Sequence, residues 1–138
     1  MKIETTIFIL VSLLGSLYAV PIGKSNRTQE GTLGEARLIL PQMDNDGLPL
    51  VPVRDALELR LLTSFGGFTQ LEGVGGWESD GSGGGRELHH EAVWVYDIAT
   101  TNDATAEILL KDIALWLKKQ ARQHSVYLRL PSGEIVFV

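Results

Sequence analysis

Three adjacent residues, His89, His90 and Glu91, carry side chains of the types that bind metals or move protons. They lie at the start of a segment, Leu88 to Ile98, whose residues are typical of a β-strand. The side chains of neighbouring residues in a strand point to opposite faces of the sheet. Two adjacent histidines therefore cannot both coordinate one metal ion. We therefore predict no metal site and no cofactor, and His90 or His124 remains as the candidate base of a cofactor-free enzyme.

Other residue types with catalytic potential lack the sequence context that their chemistry needs. Asp44, Asn45 and Asp46 resemble the start of a calcium loop, but a third spaced oxygen ligand and the closing glutamate are missing, which favours a plain turn. The glycines between Ser79 and Arg86 precede a strand, whereas phosphate binding needs a following helix. No serine lies in a nucleophile-elbow pattern. An enzyme is thus less favoured than a binding protein.

The predicted binding surface is aromatic. Alternation places Val93 and Val95 on one face of the third predicted strand and its aromatic residues on the other. In the fourth predicted strand, larger polar and aromatic residues alternate with Val126, Leu128 and Leu130. If the aliphatic sets pack beneath helices, the open face of the sheet carries residues typical of binding hot spots: His90, Trp94, Tyr96, Tyr127 and Arg129.

Besides the enzyme hypothesis, the predicted aromatic face allows two binding functions. Two copies can stack their sheets as a homodimer, which conceals the aromatic rings, and this is the preferred interpretation. Alternatively, the face or a pocket beside it holds a small aromatic or anionic ligand through ring stacking and Arg129.

The elements that would position these residues follow from apolar periodicity and from turn residues. Apolar positions at spacings of three and four predict two helices, and β-branched or alternating segments predict five strands. In chain order these are strand 36–40, helix 53–65, strands 68–77 and 88–98, a helix from Thr101 or Asn102 to Gln123, and strands 126–130 and 135–138. This βαββαβ order with one additional C-terminal strand predicts a ferredoxin-like α+β sandwich, with both helices on one face of an antiparallel sheet.

The amino-acid composition of the chain is typical of one globular domain and excludes some kinds of partner and site. The chain has 138 residues and 44% hydrophobic content, which suits one globular domain. Its net charge of −5 gives no basic surface for a phosphate backbone, so nucleic acid is not an expected partner. It has no cysteine, which excludes disulfides and thiolate zinc sites.

The N-terminus has the outline of a signal peptide. Residues 7–20 are apolar or small and follow Lys2, and the stretch is too short to span a bilayer easily. We predict a signal peptide over 1–19, a disordered leader over 20–34 and the α+β domain over 35–138. The predicted location is periplasmic or extracellular, with only transient membrane contact. The alternative is a protein tethered to the membrane by the uncleaved segment.

Several short motifs together resemble a family of small, mostly bacterial and often exported α+β proteins with no assigned activity. The similar stretches are Phe65-Gly66-Gly67-Phe68-Thr69, Leu71 to Trp77, Arg86-Glu87 and Gln123-His124-Ser125-Val126, within residues 36 to 130. The family pattern has Gly-x-Trp, Arg-Glu and Gln-Glu-Ser-Val, and His124 replaces its glutamate here. The resemblance implies the same fold and export, and it assigns no catalytic residue.

Overall fold

The computed structural model describes residues 32–138, which form two helices and five strands. Their bounds are β1 Leu33–Pro41, α1 Val51–Phe65, β2 Thr69–Asp80, β3 Arg86–Thr101, α2 Ala104–Gln120, β4 Tyr127–Arg129 and β5 Ile135–Phe137. The predicted signal peptide and the predicted leader as far as residue 31 lie outside the described residues. The last two residues of the predicted leader, Leu33 and Gly34, belong to β1.

The five strands form one sheet in the order β2-β3-β1-β4-β5, and every neighbouring pair is antiparallel. Both helices contribute to a single core on one face, where Leu57 and Leu61 of α1 and Leu110 and Leu117 of α2 are fully buried. This arrangement confirms the predicted ferredoxin-like α+β sandwich with an added C-terminal strand.

The residue types at its two ends explain where helix α1 begins and where it ends. Pro52 lies in the first turn, where a missing N–H is harmless, and Leu57 and Leu61 are one turn apart on the buried side. Gly66 ends the helix with φ of 79°, a left-handed conformation that glycine adopts without a Cβ clash. The N–H of Gly66 donates to the carbonyl of Leu62 at 2.9 Å.

Helix α2 is shorter than the sequence predicts: its cap is Asp103 and not Thr101 or Asn102, and it ends at Gln120 and not Gln123. The carboxylate of Asp103 accepts the N–H of Ala106 at 2.9 Å. A hydrogen bond from the side chain of Thr101, and then the backbone bond, lower the pKa of Asp103. Lys118 and Lys119 lie in the last turn, where the helix dipole favours cations. Within residues 32–138, neither helix has the length and apolar content to cross a membrane.

The hairpin of β2 and β3 extends beyond the rest of the sheet. Pairing of β3 with β1 runs from Thr101 to Val93, whereas its pairing with β2 continues to Arg86. The glycine-rich loop is therefore shorter than predicted, because β2 extends to Asp80 and β3 starts at Arg86. Gly83 and Gly84 have φ of 117° and 80°, so this turn uses their conformational freedom.

Candidate functional site: the open face of the sheet

The sheet buries the aromatic residues of β3 beneath α1. Trp94 is 4% exposed and Tyr96 is 0% exposed, and both belong to the core cluster. The sequence-based assignment of faces in β3 is therefore wrong, because it placed these rings on the open face. Burial of Tyr96 is compatible with its hydroxyl because that group donates to Oε1 of Glu58 on α1 at 2.9 Å.

The surroundings of Tyr96 hold its hydroxyl in the protonated form. Phe68 packs edge-on against its ring with centroids 5.4 Å apart. Burial in this apolar site, and then the negative charge of Glu58, raise the pKa of Tyr96 far above its ordinary value. The group is a structural hydrogen-bond donor and not a base or nucleophile near neutral pH.

The guanidinium of Arg54 lies above Trp94, with Cζ 5.2 Å from the ring centroid. Asp55 holds Arg54 in place by accepting from Nε at 3.0 Å and from Nη2 at 2.8 Å. Arg54 and Glu58 of α1 thus each contact an aromatic side chain of β3, and the two residues help to bury that strand.

Sequence signals for the correct faces were available. Asp97 lies on the same face of β3 as Val93 and Val95, because all three residue numbers are odd. Ile98 lies on the same face as Trp94 and Tyr96. A charged residue at the centre of a strand favours the solvent-facing side, and an isoleucine favours the core. These two positions predict the observed faces once they are weighed with the valines.

The five predicted site residues do not form one surface. Tyr127 and Arg129 lie on the open face, because Arg129 is paired with Arg37 and alternates with buried Leu128. His90 is exposed on the opposite face, on the part of the hairpin beyond β1. The face assigned to Trp94 and Tyr96 is corrected above, so the open face must be described from other residues.

The open face, defined as the odd-numbered residues of the five strands, has an apolar centre. Ile39, Val95 and Leu71 lie directly opposite one another across β1, β3 and β2. Val93 is next to them and is 4% exposed, although neither helix of residues 32–138 lies on this side. Leu71 is itself 50% exposed, and three further apolar side chains of this face are exposed: Trp77 49%, Ile135 52% and Phe137 69%.

The charges at the centre of the open face neutralise one another, whereas two further carboxylates, Glu87 and Glu91, lie toward its hairpin end. Arg37 donates to both carboxylate oxygens of Asp97, with Nε to Oδ1 at 2.6 Å and Nη2 to Oδ2 at 2.8 Å. This bidentate hydrogen bonding raises the pKa of Arg37. Beside it, Arg129 donates to Glu35 at 3.0 Å. The face therefore presents paired charges within an apolar surface.

One end of the open face carries a group of polar and aromatic side chains on the hairpin. The rings of Trp77 and His89 are stacked with centroids 4.2 Å apart and an interplanar angle of 19°. Nε2 of His89 is 2.7 Å from Oγ of Ser79 and 4.0 Å from Oε2 of Glu87. In a nucleophilic triad the carboxylate bonds the other ring nitrogen, so this is not a triad geometry. The sequence analysis missed Trp77 and His89 as surface features.

The opposite edge of the open face is also aromatic. Tyr127 of β4 and Phe137 of β5 are directly opposite in the ladder and pack edge to face, with centroids 5.8 Å apart. Phe137 is the more exposed of the two. The open face thus has aromatic groups on both flanks, one at Trp77 and one at Phe137.

The Asp-rich segment before α1 forms a turn, as predicted. Oδ1 of Asp44 accepts the N–H groups of Asp46 and Leu48, each at 2.9 Å. Its Oδ2 is 3.6 Å from Nη1 of Arg122. The carboxylate is thus engaged in the turn and with a cation. Among residues 32–138, no three His, Cys, Asp or Glu side chains cluster closely enough to hold a metal ion.

Comparisons with known proteins return two structural neighbours. No protein-family model matches the chain, and no curated protein matches its sequence. Among solved structures, it is similar to a phage SAM lyase in complex with S-methyl-5'-thioadenosine, with a TM-score of 0.58 and 14% identity over 83% of this chain and 95% of that chain. The apo state of a phage SAM lyase gives a TM-score of 0.57 and 12% identity over 84% and 95%. At these identities the likeness shows the fold alone.

Proposed function

We propose that the protein is an interaction module that self-associates through the open face of its sheet. The observation that supports this most directly is the exposure of Leu71, Trp77, Ile135 and Phe137 on the face of the sheet that neither helix of residues 32–138 covers. Several large apolar side chains exposed on one sheet face are typical of interfaces, and aromatic residues are enriched at their centres.

The electrostatics of the open face favour a second copy as the partner. Two copies of one surface bring like charges together, and a net charge would oppose their contact. Here Arg37 is neutralised by Asp97 and Arg129 by Glu35, so the central charges repel a second copy only weakly.

The size of the face suits a reversible dimer. The five strands contain 9, 12, 16, 3 and 3 residues, and at about 3.3 Å per residue and about 4.8 Å between strands they cover roughly 700 Å² per copy. A standard stable interface buries about 800 Å² per partner. We therefore expect an association that depends on protein concentration.

Sedimentation velocity of the full chain over a concentration series tests this proposal. Phe137→Ser and Leu71→Ser should each weaken self-association about tenfold, which corresponds to about 1.4 kcal/mol. Leu59→Ser is the matched control, because Leu59 is 66% exposed on α1, away from the open face. A monomer at every concentration contradicts the proposal, and so does an equal effect of Leu59→Ser.

A second candidate function is the binding of an adenine nucleoside at Trp77. One phage neighbour contains S-methyl-5'-thioadenosine. In this chain the half-exposed indole of Trp77 offers a ring face for a purine, and Glu87 and Glu91 are close by on the same side of the hairpin. Isothermal titration calorimetry with S-methyl-5'-thioadenosine is the test, because its signal does not depend on the indole that the variant removes. Binding that Trp77→Leu abolishes and Leu88→Ala preserves supports this candidate, whereas the absence of any binding heat removes it.

Export is part of the proposal for the whole chain. It is supported by the apolar residues 7–20 behind Lys2. Mass spectrometry of the protein from a secreting host, with the mature N-terminus identified, is the experiment. A product that begins near residue 20 supports export, and an intact cytoplasmic product contradicts it.

A further inference from the structure

The outer edge of β2 is a long sheet edge that pairs with no other strand of residues 32–138, and its only charged residues are acidic. Residues 69–80 contain no proline, lysine or arginine. Their pairing with β3 runs without a break from Thr69 opposite Asp97 to Asp80 opposite Arg86, so no bulge interrupts the edge. Natural edge strands are commonly protected by these residue types or by bulges.

Hydrogen bonds elsewhere in the sheet fix which peptide groups of β2 point outward. The N–H of Gln42 donates to the carbonyl of Ala92 at 2.9 Å, and that of Asn102 donates to Thr32 at 2.7 Å. The even-numbered residues of β3 therefore bond to β1 and the odd-numbered ones to β2, because peptide direction alternates along an antiparallel strand.

The direction of the peptide groups alternates in the same way along β2. Gly73 lies opposite Val93 and Gly75 opposite Glu91, so the odd-numbered residues of β2 bond inward. The residues whose peptide groups face away from the sheet are Gln70, Glu72, Val74, Gly76, Glu78 and Asp80.

The side chains of β2 define the chemistry of a strand that fits this edge. Its three carboxylates, on Glu72, Glu78 and Asp80, all lie on the helix side of the sheet. The side of β2 on the open face carries apolar residues, Leu71 and Trp77, and glycines. A complementary strand has basic residues at alternate positions and apolar residues between them.

We propose that the outer edge of β2 binds an extended segment of a partner protein in which lysine or arginine alternates with apolar residues, adding a sixth strand to the sheet. Antiparallel pairing of β2 with the β2 of a second copy is disfavoured, because it brings three carboxylates against three with no base on either strand. This edge is separate from the open face, so the proposal does not depend on self-association there.

Fluorescence anisotropy of a short capped peptide that alternates valine and lysine, mixed with the full chain, tests the proposal. Val74→Pro removes an outward N–H and leaves the bonds to β3 intact, and it should weaken binding about tenfold. Val74→Ala keeps the N–H and is the matched control, with an expected change of less than about twofold. A valine–glutamate peptide of equal length should not bind, because it opposes the carboxylates.

Circular dichroism will show whether Val74→Pro folds. If it does not fold, charge-reversal variants test the proposal instead. Glu72→Lys and Glu78→Lys should each weaken the valine–lysine peptide about fivefold and improve binding of the valine–glutamate peptide. Equal affinities of folded Val74→Pro and Val74→Ala overturn the proposal, as does indifference to both charge reversals. If Val74→Pro, and not Val74→Ala, disperses the self-associated protein in sedimentation, the edge is occupied by a second copy and the proposal is wrong.

Discussion

The hydroxyl of Tyr96 donates a hydrogen bond to Oε1 of Glu58 at 2.9 Å and so joins the centre of β3 to α1. Tyr96→Phe should lower the free energy of unfolding by about 1 kcal/mol, because it removes this bond and leaves the ring in place. Glu58→Gln should have a smaller effect, since its amide can still accept the bond. Urea unfolding of the three proteins measures this, and an unchanged stability of Tyr96→Phe contradicts the structural role.

The raised pKa of Tyr96 predicts a loss of stability in alkali. Below about pH 10, the ordinary pKa of tyrosine, the hydroxyl is protonated in both the folded and the unfolded protein, and its contribution is complete. Above that pH the unfolded chain loses the proton and the folded chain keeps it, so folding becomes less favourable as pH rises toward the folded pKa.

An absorbance titration of tyrosinate checks this pH dependence. One of the three tyrosines should ionise only as the protein unfolds, and that step should be absent in Tyr96→Phe. Tyr127→Phe is the control, because it lies on the opposite face. Reversible ionisation of all three tyrosines in the folded protein is the contrary result.

Gly34 in β1 lies against Pro131, and a side chain cannot fit between them. A Cβ on Gly34 would be 2.8 Å from Cβ of Pro131 and 2.9 Å from its carbonyl oxygen. Gly34→Ala should therefore lower the free energy of unfolding by about 1–3 kcal/mol through overpacking. Gly85→Ala is the control, since nothing lies within 4 Å of its Cβ, and it should change stability by less than about 0.5 kcal/mol. Equal stabilities would show that β4 shifts freely.

The order of elements could be predicted from the sequence because its signals are local. Gly66 ends α1 within a residue of the predicted boundary, and the turn after β4 lies at Pro131 to Gly133 as the sequence indicates. The apolar spacing of Leu57 and Leu61 in α1, and of Leu110 and Leu117 in α2, places each buried stripe. Short connections account for the pairs β2-β3 and β4-β5, whereas the position of β1 between β3 and β4 comes from the crossovers through α1 and α2.

The composition of the open face does not follow from alternation alone, and the residue types at Asp97 and Ile98 are needed to assign the faces. Both faces of β3 carry apolar residues, so alternation alone does not choose between Val95 and Tyr96 for the core. The partner that permits burial of Tyr96 is Glu58, 38 residues earlier, and Arg37 is 60 residues from Asp97. Contacts at such separations depend on the register of the folded sheet. Export and the family resemblance stay predictions.

The bidentate pair of Arg37 and Asp97 links stability to the proposed interface. The pair is partly exposed, so Asp97→Ala should lower the free energy of unfolding by only about 1 kcal/mol. It also leaves an unpaired guanidinium in the centre of the open face. Two copies then bring like charges together, and self-association should weaken about tenfold at low salt and recover in part at high salt.

The double variant Arg37→Ala with Asp97→Ala separates charge from packing. If the effect of Asp97→Ala arises from the exposed cation, removing Arg37 as well should restore most of the self-association, because the apolar centre of Ile39, Val95 and Leu71 is retained. Sedimentation of the two single variants and the double variant at two salt concentrations measures the coupling. If the double variant dissociates more readily than Asp97→Ala and is insensitive to salt, the pair itself contacts the second copy and the neutral-face argument is wrong.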